Sequence, residues 1–373
     1  MPHPLTFGIE FEFAFATVPY GFSPPASEKT DGLPLAMRSY LPSSQAPALL
    51  HEAFDAINKV LSTFGLRTEF SSRFTRVSLR SHDKTHWHLD TDATIEGPNR
   101  DYYWLQIELI SPVLNLTPAG IAEAMQVAGL IQRHFRVSTN DSTGMHIHIG
   151  DSSKGFPMSV CHKVMGFFYT FDGLLEHLHP PSRQDHDWAR NIRDACQLSI
   201  TNSWSVLEAV EAIFATDSIE ELEFGFGSRR PAVNIRNLRN GRVLGKKTIE
   251  FRQHAGTLDP ERVQAWIQTV GGIVEWCRGV TDNEYAELVE DSAEQQDQGD
   301  AYAPGSAIQL LKAIGLKEPA DFYRKRLKRT NGKEPEGELI THDKPLSEEY
   351  VVDCSSDSSE DGAHSGDEEM VHV

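Results

Sequence analysis

Cysteine is scarce in this chain, and the few present do not pair. Across 373 residues only Cys161, Cys196, Cys277 and Cys354 occur. None forms a CxxC, and Cys161 and Cys277 sit inside apolar helical patterns. That spacing argues against a zinc knuckle and a disulfide framework, and a reducing compartment is expected. A basic excess is missing too. The formal net charge is -19, with much of the acid near the C-terminus, so no nucleic-acid partner is expected. No stretch approaches the ~18 uncharged apolar residues that span a bilayer, and the opening MPHPLTFGIEFEF reaches Glu10 without a basic segment. Neither a membrane association nor a secretory signal is expected. A cytoplasmic location fits, with the nucleus left open. GxGxxG and P-loop patterns are absent, so a bound nucleotide must be held in another way. HExxH is absent as well, which counts against a zinc-hydrolase reading.

What is present is a chain long enough to bury a sizeable core as one large domain or two small ones. Residues 5–16 alternate in a period of two. Phe7, Ile9, Phe11, Phe13 and Phe15 take one side, and Gly8, Glu10, Glu12 and Ala14 the other. A Pro/Ser/Gly-rich stretch over 19–47 reads as a long loop or lid. Residues 48–64 have helical spacing, with Leu50, Phe54, Ile57, Leu61 and Phe64 on one side. Paired strands are expected over 86–114 with a turn at Gly97-Pro98-Asn99, then a helix opened by Thr117-Pro118. TGMHIHIG at 143–150 alternates again, ahead of an apolar helix over 158–178. Strands at 231–238 and 247–253 flank a turn at Asn240-Gly241, and Asp259-Pro260 starts another helix. Residues 281–304, acidic and poor in large apolar side chains, read as loop, and 305–330 as one or two last helices. The acidic segment over 331–373 cannot bury enough apolar surface to fold. The pattern is α+β, with a folded domain over 1–330 and a disordered tail over 331–373.

Four strand-like segments carry the chemistry. Glu10 and Glu12 in GIEFEF share a face, with carboxylates ~7 Å apart along the strand that repel unless water or a cation holds them. Hard oxygen ligands of this kind suit Mg²⁺ or Mn²⁺; two solvent-facing charges would look the same. His146 and His148 share a face in the same way and suit a metal or phosphate, although paired histidines are more often ordinary surface or core groups. Glu250 and Arg252 in TIEFR form either a salt bridge or a metal ligand beside a phosphoryl clamp. Glu108, inside the apolar WLQIELISP, needs a partner. Asp92 in HLDTDATI is a further candidate, while His86 and His88 read as strand surface.

Together and in this order, these pieces resemble the amidoligase family of the carboxylate–amine ligase superfamily, to which glutamine synthetase and glutamate–cysteine ligase also belong. The matching pieces are Gly8-Ile9-Glu10-Phe11-Glu12, Asp92, Glu108 with Ser111-Pro112, Gly144-Met145-His146-Ile147-His148, Arg229 with Asn234, and Thr248-Ile249-Glu250-Phe251-Arg252. The stretch from 306 to 329 is similar to the family's closing helices, so the resemblance covers roughly residues 5–330. It implies a glutamine synthetase-like curved, mostly antiparallel sheet with flanking helices, holding ATP and two or more Mg²⁺ ions. Glu10, Glu12, Glu108 and Glu250 would ligate metal, with His146 as a nitrogen ligand. His148, Asn234 and Arg229 would lie near the nucleotide, and Arg252, Arg236, Glu250 and Asp92 would serve the reaction. That reaction joins a small-molecule or peptide carboxylate to an amine through an acyl phosphate. A ligase-like module without turnover and a metal-dependent hydrolase are the competing readings. The segments 17–47 and 180–228 match no family motif, and substrate choice is expected to lie in the second.

Overall fold

Alternation over TFGIEFEFAFATV makes one long strand, β1 (Thr6–Val18), whose Phe7, Ile9, Phe11, Phe13 and Phe15 are all buried on one side. The computed structural model describes residues 3–70, 85–151, 154–184, 187–196, 204–226, 230–239, 246–297 and 306–329. Around β1 it assembles β2 (Met37–Arg38), β3 (Thr68–Phe70), β4 (Trp87–Asp90), β5 (Tyr103–Ile110), β6 (Leu114–Asn115), β7 (Val137–Ser138), β8 (Gly144–Gly150), β9 (Val233–Asn234) and β10 (Thr248–Ala255) into one sheet. Its order is β3-β4-β5-β1-β8-β10-β9, with β2, β6 and β7 also pairing with β1. All pairings are antiparallel except β1 with β2 and β3 with β4. The result is a mixed α/β fold with a mostly antiparallel open sheet.

Ten helices complete the described residues: α1 (Ala46–Thr63), α2 (Pro118–His134), α3 (Met158–Leu175), α4 (Ile192–Ala195), α5 (Val206–Phe214), α6 (Ile219–Gly225), α7 (Pro260–Gly279), α8 (Asp282–Asp297), α9 (Ser306–Ala313) and α10 (Lys317–Arg329). The apolar face of the sheet and buried residues of α1, α2, α3 and α7 form one cluster. Phe11 stacks on Trp87 with centroids 6.3 Å apart, and Phe168 of α3 meets Phe251 of β10 at 5.2 Å. Helix starts follow their capping chemistry. Thr117 accepts from the Gly120 amide with Pro118 at the first position, and Asp259 accepts from Glu261 ahead of Pro260. No helix among the described residues is long and apolar enough to cross a membrane.

Several expectations need correction. Residues 282–297, expected as loop, are helical. Thr281 and Glu284 exchange backbone and side-chain hydrogen bonds in a capping box, and Tyr285, Val289 and Ala293 bury a single stripe. That stripe is too thin to stand out against the surrounding acid. The expected strand over 231–238 shrinks to Val233–Asn234, because the Asn234 side chain accepts from the Arg236 amide and turns the chain into a 3₁₀ turn. His88 is buried rather than on the strand surface. The Asn240-Gly241 turn and the 331–373 tail lie outside the described residues.

The segment read as a loop over 17–47 is held down firmly. Thr17 and Val18 still belong to β1, and β2 pairs alongside them. Buried Glu28 accepts from the Ala36 amide at 2.9 Å and pairs with Arg38. Arg136 reaches in from beyond α2 to grip Asp31 (2.8 and 2.9 Å) and the Pro34 carbonyl (2.8 Å), its guanidinium 5.2 Å from the centre of the Tyr102 ring.

The central strand sets the stability. Phe13 is fully buried, so Phe13→Ala is expected to cost ~3–5 kcal/mol in urea unfolding, whereas Tyr40→Ala, at 96% exposure, should stay within ~0.5 kcal/mol. Equal midpoints for the two variants would contradict this placement of the core.

Candidate active site

The other face of the sheet carries a charged layer whose rows follow from strand register. Glu12 stands opposite Glu108, and Glu108 opposite Asp90, giving three acids in a row across β1, β5 and β4. Glu10 stands opposite His146, and His148 opposite Glu250, which faces Asn234 on β9. Like charges directly opposite in a sheet destabilise it, and here they are buried: Glu10, Glu12, Asp90, His146, His148 and Glu250 are each under 10% exposed.

The hydrogen bonds show how the layer is held. Glu10 Oε1 accepts from Lys246 Nζ at 3.2 Å and lies 3.0 Å from His148 Nε2, while its Oε2 is 3.2 Å from His146 Nδ1. The Gly144 amide donates to Glu12 Oε2 at 2.6 Å. Glu250 pairs with Arg252 through Oε1 and accepts from Asn234 Nδ2 at 3.2 Å. Thr248 Oγ1 sits 3.1 Å from His148 Nδ1 and fixes that ring.

A β-bulge completes the arrangement. Phe251 pairs with Ile147 but His254 with Met145, so β10 has one residue more than β8 between these pairs. Within the bulge Arg252 still stands on the charged face, paired with Glu250. After it His254 is turned into the core, its ring 5.6 Å from that of Trp266. Carbonyls that the bulge would leave without ladder partners are taken by Arg183, which donates to those of Arg252 (2.9 Å) and Gln253 (3.3 Å). Gly144 makes room for that guanidinium: a Cβ there would sit 2.7 Å from both Arg183 and His146. Arg183, Arg252 and Arg230 then line a narrow cleft with Glu12, Asp92, His146 and Trp188. Arg230 lies 3.9 Å over the Trp188 ring.

Electrostatics divide the carboxylates. Burial alone would raise Glu10, but the charges of His148 and Lys246 and the hydrogen bonds from both histidines hold it well below the usual range. Burial also opposes ionisation of Glu250, and His148 and Arg252 overcome it. At Glu108 the balance runs the other way. Burial, then the charges of Glu10, Glu12, Asp92 and Asp90, push its carboxyl up to about 9. Lys246 is pulled down by burial, yet Glu10, Glu250 and Glu108 hold its ammonium above the ordinary range.

The chemistry of this donor set fits a divalent cation. One oxygen each of Glu10 and Glu250 and one nitrogen of His148 lie within 4.8 Å of one another. Hard oxygens with one imidazole suit Mg²⁺ or Mn²⁺, and the surplus of acid around Glu108 is what a cation would relieve. The family resemblance implies His146 as the nitrogen ligand; the triad contains His148, with His146 between Glu10 (3.2 Å) and Glu12 (3.6 Å). Glu12 and Glu108 lie beside the triad, and Asp92 lies at the cleft. Arg236 pairs with Glu223 at 3.5 Å, and Arg229 lies outside the described residues.

Lys246, Asp90, Arg183, Trp188 and Arg230 were not singled out from sequence. Lys246 continues the even-numbered face of Thr248, Glu250 and Arg252, so extending the period by one more step would have found it. Arg183 and Trp188 come from the unpatterned 180–228 segment and had no signal.

The model of the family described as "Putative amidoligase enzyme" matches residues 3–274. The chain belongs to this family. The match takes in β1 through most of α7, and therefore every residue of the charged layer. No curated protein matches the chain.

A raised Glu108 pKa has a definite sign for stability. In metal-free protein the folded state keeps a proton that the unfolded chain loses near 4.5, so stability falls as pH rises from about 4.5 towards 9. Glu108→Gln should flatten that limb in denaturant titrations and raise stability at pH 8. An unchanged slope would mean the buried charge is relieved in another way.

Proposed function

We propose that this member of the family is an ATP-dependent carboxylate–amine ligase that works through an acyl phosphate with Mg²⁺ or Mn²⁺, on a glutamine synthetase-like sheet. The observation that carries this is the convergence of Glu10, His148 and Glu250 within 4.8 Å of one another, with the Arg252 guanidinium paired to Glu250. Phosphoryl transfer needs positioning and cations more than a covalent nucleophile, and this layer is rich in both.

In this reading, a substrate carboxylate oxygen attacks the γ-phosphorus of ATP. The bond from that phosphorus to the β-phosphate oxygen breaks, and ADP leaves. An amine nitrogen then attacks the acyl carbon of the acyl phosphate, the carbon–oxygen bond to phosphate breaks, and inorganic phosphate leaves with the amide formed. Glu10, Glu250 and His148 would hold the ion, and Glu12 and Glu108 extend the acidic bed beside it. When bound, the ion offsets phosphate charge. Arg252 faces the transferred phosphoryl group, and Asn234 keeps Glu250 oriented. His146 holds Glu10 and Glu12 in place, and Asp92, at the cleft, accepts the proton shed by the amine. The substrates would be a small-molecule or peptide carboxylate and an amine, chosen by the cleft of Arg183, Trp188 and Arg230.

The test is phosphate release by purified protein with ATP, Mg²⁺ and panels of carboxylates and amines. Arg252→Ala should leave the circular dichroism spectrum unchanged and lower turnover by ~100-fold or more, since losing one such donor typically costs ~3 kcal/mol of barrier. Arg252→Lys should rescue poorly, because an ammonium lacks the two-pronged grip. Wild-type-like turnover in folded Arg252→Ala would remove the residue from the mechanism. Release of product from an amide without ATP would favour the metal-dependent hydrolase instead, and metal-linked ATP binding without any turnover the inactive module.

A further inference from the structure

Both oxygens of Glu10 are already engaged. Oε2 faces His146 Nδ1 at 3.2 Å, and Oε1 receives Lys246 Nζ at 3.2 Å while also meeting His148 Nε2 at 3.0 Å. For Glu10 to ligate an ion, a partner has to leave. The candidates differ in their freedom to do so. His146 is pinned, its side chain 4% exposed between Glu10 and Glu12. His148 belongs to the triad itself and is fixed from behind by Thr248. Lys246 is different: its side chain is 37% exposed, it precedes β10 rather than lying in the ladder, and it reaches Glu10 on a flexible four-carbon stem.

Charge points the same way. Lys246 feels Glu10 first and then Glu250 and Glu108, the carboxylates on which a divalent ion would depend. An ammonium and a divalent cation cannot share those few ångströms without strong repulsion. We propose that Lys246 is an exchangeable counter-ion, a resident cation that occupies Glu10 while the site is metal-free and is displaced when a divalent ion binds to Glu10, His148 and Glu250. Arg252 is the fixed counterpart on Glu250, set within the strand. Displacement leaves the Lys246 ammonium free beside the bound ion, where it can meet an anionic phosphate. That last role rests on the ligase reading; the exchange does not.

The experiment is calorimetric titration of Mg²⁺ and of Mn²⁺ into wild type, Lys246→Met and Lys246→Arg, with no nucleotide and at low ionic strength. Removing a competing cation should tighten divalent binding in Lys246→Met by about tenfold, within the range of such couplings, and lower its metal-free melting temperature. Lys246→Arg should bind metal as weakly as wild type. Unchanged or weaker binding in folded Lys246→Met, or no divalent binding in either protein at millimolar concentration, overturns the proposal. Wild-type protein gives a second readout if the Met variant fails to fold. Acylation of the Lys246 amine, followed by peptide mass mapping, should be slow in chelator and severalfold faster with Mn²⁺; equal rates overturn the exchange. A wild type that binds metal competitively with Lys246 but releases no phosphate from ATP would sink the ligase reading and leave the exchange standing.

Discussion

Buried negative charge on one face of the sheet is the constraint on which the rest of this molecule turns. Glu12, Glu108 and Asp90 line up across three strands, and Glu10 and Glu250 flank the histidines one row away. Carboxylates this close, under low exposure, raise one another's pKa unless cations or donors offset them. The fold supplies such offsets unevenly. Lys246, Arg252 and the Gly144 amide serve Glu10, Glu250 and Glu12, while burial and the neighbouring carboxylates push Glu108 up from the usual range. An uneven distribution of this kind is poor economy for a structural core and apt for a centre that receives a cation.

Positioning depends on one irregularity. The extra residue in β10 lets a single strand place Glu250 and Arg252 on the charged face and His254 in the core. Such a bulge strands backbone carbonyls, and Arg183, at 6% exposure, satisfies them while reaching the cleft. Structural support and candidate substrate contact therefore fall on the same buried guanidinium. Gly144, at the start of β8, is the complementary feature: the space that a side chain would fill belongs to Arg183 and His146.

The segment after β1 has a similar logic away from the site. Its composition suggests a lid, but the Glu28–Arg38 and Arg136–Asp31 pairs and the buried Tyr102 tie it to the body of the protein. These ion pairs hold the segment against the body of the protein, which leaves exposed Tyr20 and Tyr40 on a held rather than a loose surface.

Period-two alternation was enough to place Glu10, Glu12, Glu108, His146, His148, Glu250 and Arg252 on strand faces, because the β period is set by backbone geometry and not by neighbours. The same local rules gave the helices opened by Thr117-Pro118 and Asp259-Pro260. They failed at 282–297, where burial of one narrow stripe against α3 and α5 outweighs a polar composition, and at 231–238, where a single Asn side chain turns the strand. Which histidine joins the triad was beyond reach of the sequence, since both share a face and only the register of β8 between β1 and β10 sets His148 against Glu250. Arg183 and Trp188 were beyond reach for a different reason: they belong to no periodic element and arrive at the cleft only because the bulged strand and the Arg190–Pro231 bridge bring their segment there. Local patterning therefore carries the chemical types and the faces on which they stand. Tertiary structure alone decided which of them meet, because contacts between strands far apart in the chain depend on register and packing that no local pattern encodes.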